Sequence, residues 1–216
     1  MKRFLIPFAT LSILGAGSPA LGAATVELTV KGLLSPTACT PLLSSNGLID
    51  YGKISQADLN LDRGTRLPIR YLDVTVDCNG NSRFALRMRD NRDGTANVNS
   101  EIFYGLGLDK SGNKIGLYFL SFDPTQTQAI PLAEVYGTES TTGGLAWRSA
   151  NSNPIDIGAR SYLGFTDQAG GTAGPAAIKF LNSRVKVETV IAAKQNLDLS
   201  SEIDMDGSST LEVIYL

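Results

Sequence analysis

Leu72-Asp73-Val74-Thr75-Val76-Asp77-Cys78 alternates apolar and polar residues without a break. Period two puts Leu72, Val74, Val76 and Cys78 on one face and the Asp and Thr side chains on the other. That is the pattern of a half-buried strand. Working outward, Phe84-Ala85-Leu86-Arg87-Met88-Arg89 resumes the alternation beyond Asn79-Gly80-Asn81, whose residue types predict a turn. Residues 103–108 and 115–122 flank Asp109-Lys110-Ser111-Gly112-Asn113 and predict a hairpin. Val26-Glu27-Leu28-Thr29-Val30 and residues 48–54, 162–165, 185–191 and 211–215 are further predicted strands. Only residues 55–61 and 131–136 offer a helical turn. Short strands parted by turn clusters, with 22 glycines in 216 residues, predict an all-β chain folded as a β-sandwich. No internal repeat and no interdomain linker breaks the pattern, and residues 170–175 read as a mobile loop.

Composition narrows the function. Lys and Arg number 19 against 21 Asp and Glu, a net charge of −2, so nothing offers the cationic surface that nucleic acid requires. The chain has no histidine. This excludes Ser-His-Asp and Cys-His catalysis and histidine metal sites. Two cysteines are too few for a thiolate zinc site.

Lys2 and Arg3 precede an apolar run from Phe4 to about Gly17, followed by small residues to Ala24. A basic start, an apolar run and a small-residue cleavage zone predict a secretory signal peptide over residues 1–23 and one domain over residues 24–216. The alternative is a membrane anchor. The run is shorter than the roughly 20 apolar residues that span a bilayer, and Pro7 interrupts it. No later stretch is long and apolar enough to insert in a membrane. Export places Cys39 and Cys78 in an oxidising compartment, where two lone thiols pair. A loop of this length contributes about 4 kcal/mol in the chain-entropy account. A reactive thiol is the alternative, but there is no C-x-x-C and no histidine to lower a thiol pKa.

Catalytic and metal signals are weak. Ser111-Gly112-Asn113-Lys114 matches S-x-x-K, yet that chemistry needs a helix and this segment reads as a turn. Asp90-Asn91-Arg92-Asp93-Gly94 and Asp204-Met205-Asp206-Gly207 resemble parts of calcium loops without the full ligand alternation, and Asx turns explain both. Glu202 and Asp204 could pose as glycosidase carboxylates, but acidic residues beside a strand end are ordinary solvated surface. Trp147 could stack a sugar ring at an adhesive surface; core or hairpin packing is the plainer reading. No cofactor and no metal is expected, and the chain reads as non-enzymatic.

The termini carry the strongest functional signal. A strand at each terminus of an odd-stranded sandwich risks an open edge, which templates pairing with another chain unless it is covered. Gly32 precedes Cys39, Cys78 follows, and the last strand ends on the penultimate Tyr215. This arrangement resembles subunits of chaperone–usher pili of Gram-negative bacteria. It is more closely similar to the GltF-like group of secreted fimbrial-type proteins of unassigned function. The matching segments are Leu28-Thr29-Val30-Lys31-Gly32, Pro36-Thr37-Ala38-Cys39, Asp50-Tyr51-Gly52, Arg89-Asp90-Asn91-Arg92-Asp93-Gly94-Thr95, Gly105-Leu106-Gly107 and Lys114-Ile115-Gly116. The resemblance implies an immunoglobulin-like, pilin-type β-sandwich with one disulfide and a groove where the last strand is missing. It implies a periplasmic pilus chaperone, an outer-membrane usher and other pilus subunits as partners. The location implied is the periplasm, then a cell-surface fimbrium. Val26, Leu28 and Val30 would be the donor-strand residues. Leu211, Val213 and Tyr215 would line the acceptor edge and meet the chaperone. One departure is the short approach to Cys39, about fifteen residues after the expected cleavage, briefer than in type 1 pilins and comparable with archaic-type pilins. Two readings of Val26, Leu28 and Val30 remain: an exchangeable donor strand, or the protein's own first strand packed on its own core. The corresponding alternative function is a self-contained monomeric periplasmic binding module, with a secreted hydrolase third.

Overall fold

The computed structural model describes residues 26–32, 38–150 and 154–216. The expected signal peptide, residues 1–23, lies outside them. The chain divides into two compact units, Met1–Ser35 and Pro36–Leu216. In the first, residues 26–32 belong to no strand, contrary to the alternation read from Val26 to Val30. Alternation marks a segment able to form a strand; the ladder itself needs a partner edge. Val26, Leu28 and Val30 are 96%, 87% and 87% exposed.

The second unit is all-β. Its strands are β1 (Cys39–Leu43), β2 (Thr65–Arg66), β3 (Arg70–Asp90), β4 (Tyr104–Gly105), β5 (Gly116–Phe122), β6 (Gln128–Ile130), β7 (Tyr136–Ser140), β8 (Arg148–Ser149), β9 (Ile155–Asp156), β10 (Tyr162–Thr166), β11 (Ala177–Ile191) and β12 (Ser209–Tyr215). They form a curled sheet in the order β4-β5-β11-β3-β10-β7-β8, with β1 and β12 also paired to β3. The curl makes a sandwich. One leaf is built on the first part of β3 with β1 and β11, and the other on its last part with β10 and β12. The core lies between the leaves, with Val74, Val76, Phe84, Leu86, Phe122 and Leu181 all buried.

β3 corrects the predicted turn at Asn79-Gly80-Asn81: it runs unbroken through these residues. β11 pairs with β3 on either side of the segment, at Arg70–Asp77 and at Ser82–Arg83, with a register shift across residues 78–81, so the ladder anchors the segment at both ends. Asn79 fastens the other side, where its amide donates to the Ala38 carbonyl and its side-chain oxygen accepts from the Ala38 amide. Tertiary pairing here overrides local turn propensity. The strand predicted at residues 48–54 is also absent. The Gly52 amide donates to Asp50 Oδ1 at 2.7 Å and Gly52 has φ +64°, an Asx-type turn that interrupts the run. Residues 55–61 and 131–136 contain no helix. The predicted hairpin is present, its tip closed by an isolated bridge between Leu108 and Lys114. Cys39 lies opposite Cys78 in the β1–β3 register, and the two form a disulfide.

Candidate interaction groove

β12 pairs with β3 from Ser209↔Asp90 to Tyr215↔Phe84 and, among the described residues, with no other strand. Six of its seven residues are half-buried and Tyr215 is exposed. The inward-facing Leu211 and Val213 are only half-buried, so apolar surface beside this edge is left partly uncovered. Leu211 and Val213 pack against the core cluster. Glu212 faces Arg87 and Arg89 as an ion pair on the outer surface. Tyr215 has a structural task, because its hydroxyl accepts the Cys39 amide at 2.7 Å. The last strand is thereby tied to the disulfide.

Beside the start of β12 lies an apolar cavity of about 260 Å³, into which Leu43, Ile49, Met88, Tyr118, Val187 and Leu211 project. A second cavity of about 890 Å³ continues it and shares Ile49, Tyr51 and Met205 with the first. Its rims are residues 49–54, turned at Gly52, and residues 201–205, and Ile115 and Ile191 are among its lining residues. The two form one groove. Burial pushes the Tyr118 hydroxyl well above its ordinary range, so this wall stays uncharged.

A clasp positions the groove. Asp90 Oδ2 accepts the Gly105 amide and Oδ1 accepts the Arg92 amide. Thr95 donates its hydroxyl to the Arg92 carbonyl and accepts the Gly107 amide. Arg92 in turn reaches the chain just before β12, pairing with the Asp206 carboxylate and donating to its carbonyl at 2.9 Å. Gly207 passes against Tyr118, where a Cβ would come within 3.1 Å of the ring. The motif running from Arg89 to Thr95, with Gly105-Leu106-Gly107, is thus a turn that holds the approach to β12. No calcium is needed to explain it. Among the described residues no group of three or more His, Cys, Asp or Glu could hold a metal.

The remaining sequence candidates are dispersed. Trp147 donates its indole N–H to the Gly144 carbonyl and packs on Gly174, where a Cβ would come within 3.0 Å of the ring. Arg83 holds the same loop through the Ala173 and Pro175 carbonyls. Ser111 donates to Asp198, while Lys114 donates to the Ala96 carbonyl, so the two do not form a Ser–Lys pair. Glu202 binds Lys53 at 2.8 Å. What sequence reasoning passed over is the rim itself. Glu202-Ile203-Asp204-Met205-Asp206 alternates with period two, the same signal that marked the strands, in a run taken only as solvated surface.

The fold and groove define an all-β, disulfide-tied domain whose final strand, among the described residues, keeps an uncovered edge above an apolar slot. Residues 28–102 match the model of a family described as "Protein of unknown function (DUF1120)". The chain is similar to "Uncharacterized protein YhcF" of Escherichia coli K12, 25% identical over 222 residues that cover 88% of this chain and 90% of that one. It is also similar to "Protein GltF" of the same organism, 23% identical over 241 residues that cover 96% and 95% of the two chains. These matches fit the GltF-like group to which the sequence motifs pointed.

Proposed function

We propose that this chain is a secreted, non-enzymatic fimbrial-type subunit that takes part in pilus assembly or cell adhesion by β-strand complementation. The observation that carries the reading is the edge of β12, unpaired among the described residues, beside an apolar groove. Burial of apolar surface and closure of an unsatisfied ladder both favour an added strand at such an edge. The alternating, exposed Val26, Leu28 and Val30 supply a strand of the required pattern. A periplasmic chaperone would cover the groove first, and another subunit would fill it after passage through an outer-membrane usher.

Leu28→Asp tests the reading. All three apolar residues share one face, so a charge at position 28 would enter a desolvated slot, where an unpaired charge costs several kcal/mol. The expected outcome in the native host is a normal periplasmic level of subunit with loss of surface fibres. Loss of the subunit itself would show that this segment belongs to its own core, as a self-contained binding module requires. Unchanged fibres would remove the donor assignment.

A further inference from the structure

We infer that residues 49–59 are a strap that lifts from the sheet, latched by the Tyr51 hydroxyl on Thr189, and that its lifting opens the smaller apolar cavity. The inference stands on local geometry and does not require strand complementation. Its starting point is one face of β11. Val185, Val187, Thr189 and Ile191 lie on that face and all four are buried. Thr189 is the polar member of the row. A buried hydroxyl costs stability unless it has a partner. The partner is Tyr51, whose hydroxyl donates to Thr189 Oγ1 at 3.0 Å. Among the described residues the Thr189 hydroxyl makes no other hydrogen bond.

Tyr51 sits on a segment that little else holds. Its ends are fixed, because the Leu48 amide donates to the Ser45 carbonyl and the Asn60 carbonyl accepts the Lys194 amide. Between them no residue joins a strand. The Gly52 amide turns back to Asp50, and the Ala57 and Asp58 amides to Ser55, so these bonds stay within the segment. Outward, among the described residues, it makes two side-chain hydrogen bonds, Tyr51 to Thr189 and Lys53 to Glu202. The second joins side chains that are both 86% exposed and contributes little. Arg70 lies 5.5 Å from the centre of the Tyr51 ring and adds a cation–π contact at the same point. Half-buried Ile49, Ile54 and Leu59 supply the rest. Few buried contacts and no ladder mark a segment that opens before the fold does.

Lifting the strap changes the groove, because Tyr51 and Ile49 line both cavities. The smaller cavity loses these walls, and Met88, 8% exposed and lining that cavity, meets solvent. In the closed strap the two hydroxyls satisfy each other; in the lifted strap both are hydrated. Removing one hydroxyl leaves its partner buried and unbonded in the closed state alone, which favours lifting. Removing both leaves apolar groups in contact, and closure is restored.

Trypsin and hydrogen peroxide test this on the purified chain with its disulfide intact. Trypsin needs a locally unfolded stretch around its site, so cutting after Lys53 tracks the lifted population when reclosing is fast. Tyr51→Phe and Thr189→Val should each speed that cut about fivefold, and the double variant should return to within about twofold of the parent. Conversion of Met88 to its sulfoxide, followed by mass spectrometry, should rise and fall in the same order. Single variants that are cut no faster, or a double variant cut as fast as the singles, overturn the latch. Cuts within β11 that appear together with the cut after Lys53 overturn independent lifting. Met88 oxidation that is the same in all four chains overturns the link between strap and cavity.

Discussion

Gly105 is the tightest point of the clasp. A Cβ there would lie 2.0 Å from Thr95 Oγ1 and 2.6 Å from the Arg92 carbonyl oxygen. Gly105→Ala must therefore push the turn away from β4 or break the Thr95 hydrogen bonds. The expected cost is about 2–3 kcal/mol, read as a shift in the urea midpoint, and unchanged stability would remove the clasp from the account. A second residue-scale prediction concerns acid. The Ser111 hydroxyl, then the Ser200 hydroxyl and amide, hold the Asp198 carboxyl down to about 2 from an ordinary 3.8. A carboxylate depressed on folding stabilises the native state above its unfolded pKa. That contribution is lost as pH falls through the folded value. The tie between the hairpin tip and residue 198 should therefore persist at pH 5 and weaken between about pH 4 and pH 2. Ser111→Ala removes the largest cause, so the Asp198 titration midpoint followed by carboxyl-carbon NMR should rise. A midpoint that stays put would show that Ser111 does not hold the carboxylate.

At the scale of elements, β12 is where sequence and structure agree most fully and where the consequences are largest. Leu211 and Val213 face the core cluster, Tyr215 anchors the Cys39 amide, and one edge is left without a ladder among the described residues. Removing residues 211–216 strips both the packing and the tether to the disulfide strand. Each buried apolar side chain contributes roughly 1.5–3 kcal/mol when fully covered, so the truncated chain should fail to accumulate. A normal yield and melting curve would show that the strand is dispensable. Native-state hydrogen exchange gives a finer check: alternate β12 amides, those turned to β3, should be protected while the intervening ones exchange freely. Strand existence was legible because period-two alternation records burial on one face, as in residues 72–78, 84–89 and 211–215. What escaped was set by partners distant in sequence. Asn79-Gly80-Asn81 has turn-forming residues and is nevertheless strand, because Ala38 bonds Asn79 and β11 pairs with β3 just before and just after the segment, partners that local pattern cannot reveal. Residues 201–205 carry the alternation but no ladder, for the converse reason.

For the whole molecule, the groove predicts a domain that is less stable alone than when complemented. Anything that binds the folded chain and not the unfolded one adds RT ln(1 + [L]/Kd) to its stability. The geometry of β12 suggests how to supply that ligand within one chain. A copy of residues 24–34 appended after Leu216 through a short flexible linker would turn back at the Tyr215 end and run antiparallel to β12. A short linker holds its segment at about millimolar effective concentration. For a Kd of about 10 µM this adds about 2.7 kcal/mol. In a domain of this size the melting temperature should rise by roughly 5–11 °C. The same fusion bearing Leu28→Asp should melt with the parent chain, because its apolar row cannot enter the slot. Scanning calorimetry on the two fusions and the parent chain reads this at once, and an unsubstituted fusion that melts no higher than the parent would mean that the slot beside β12 is not built for this strand.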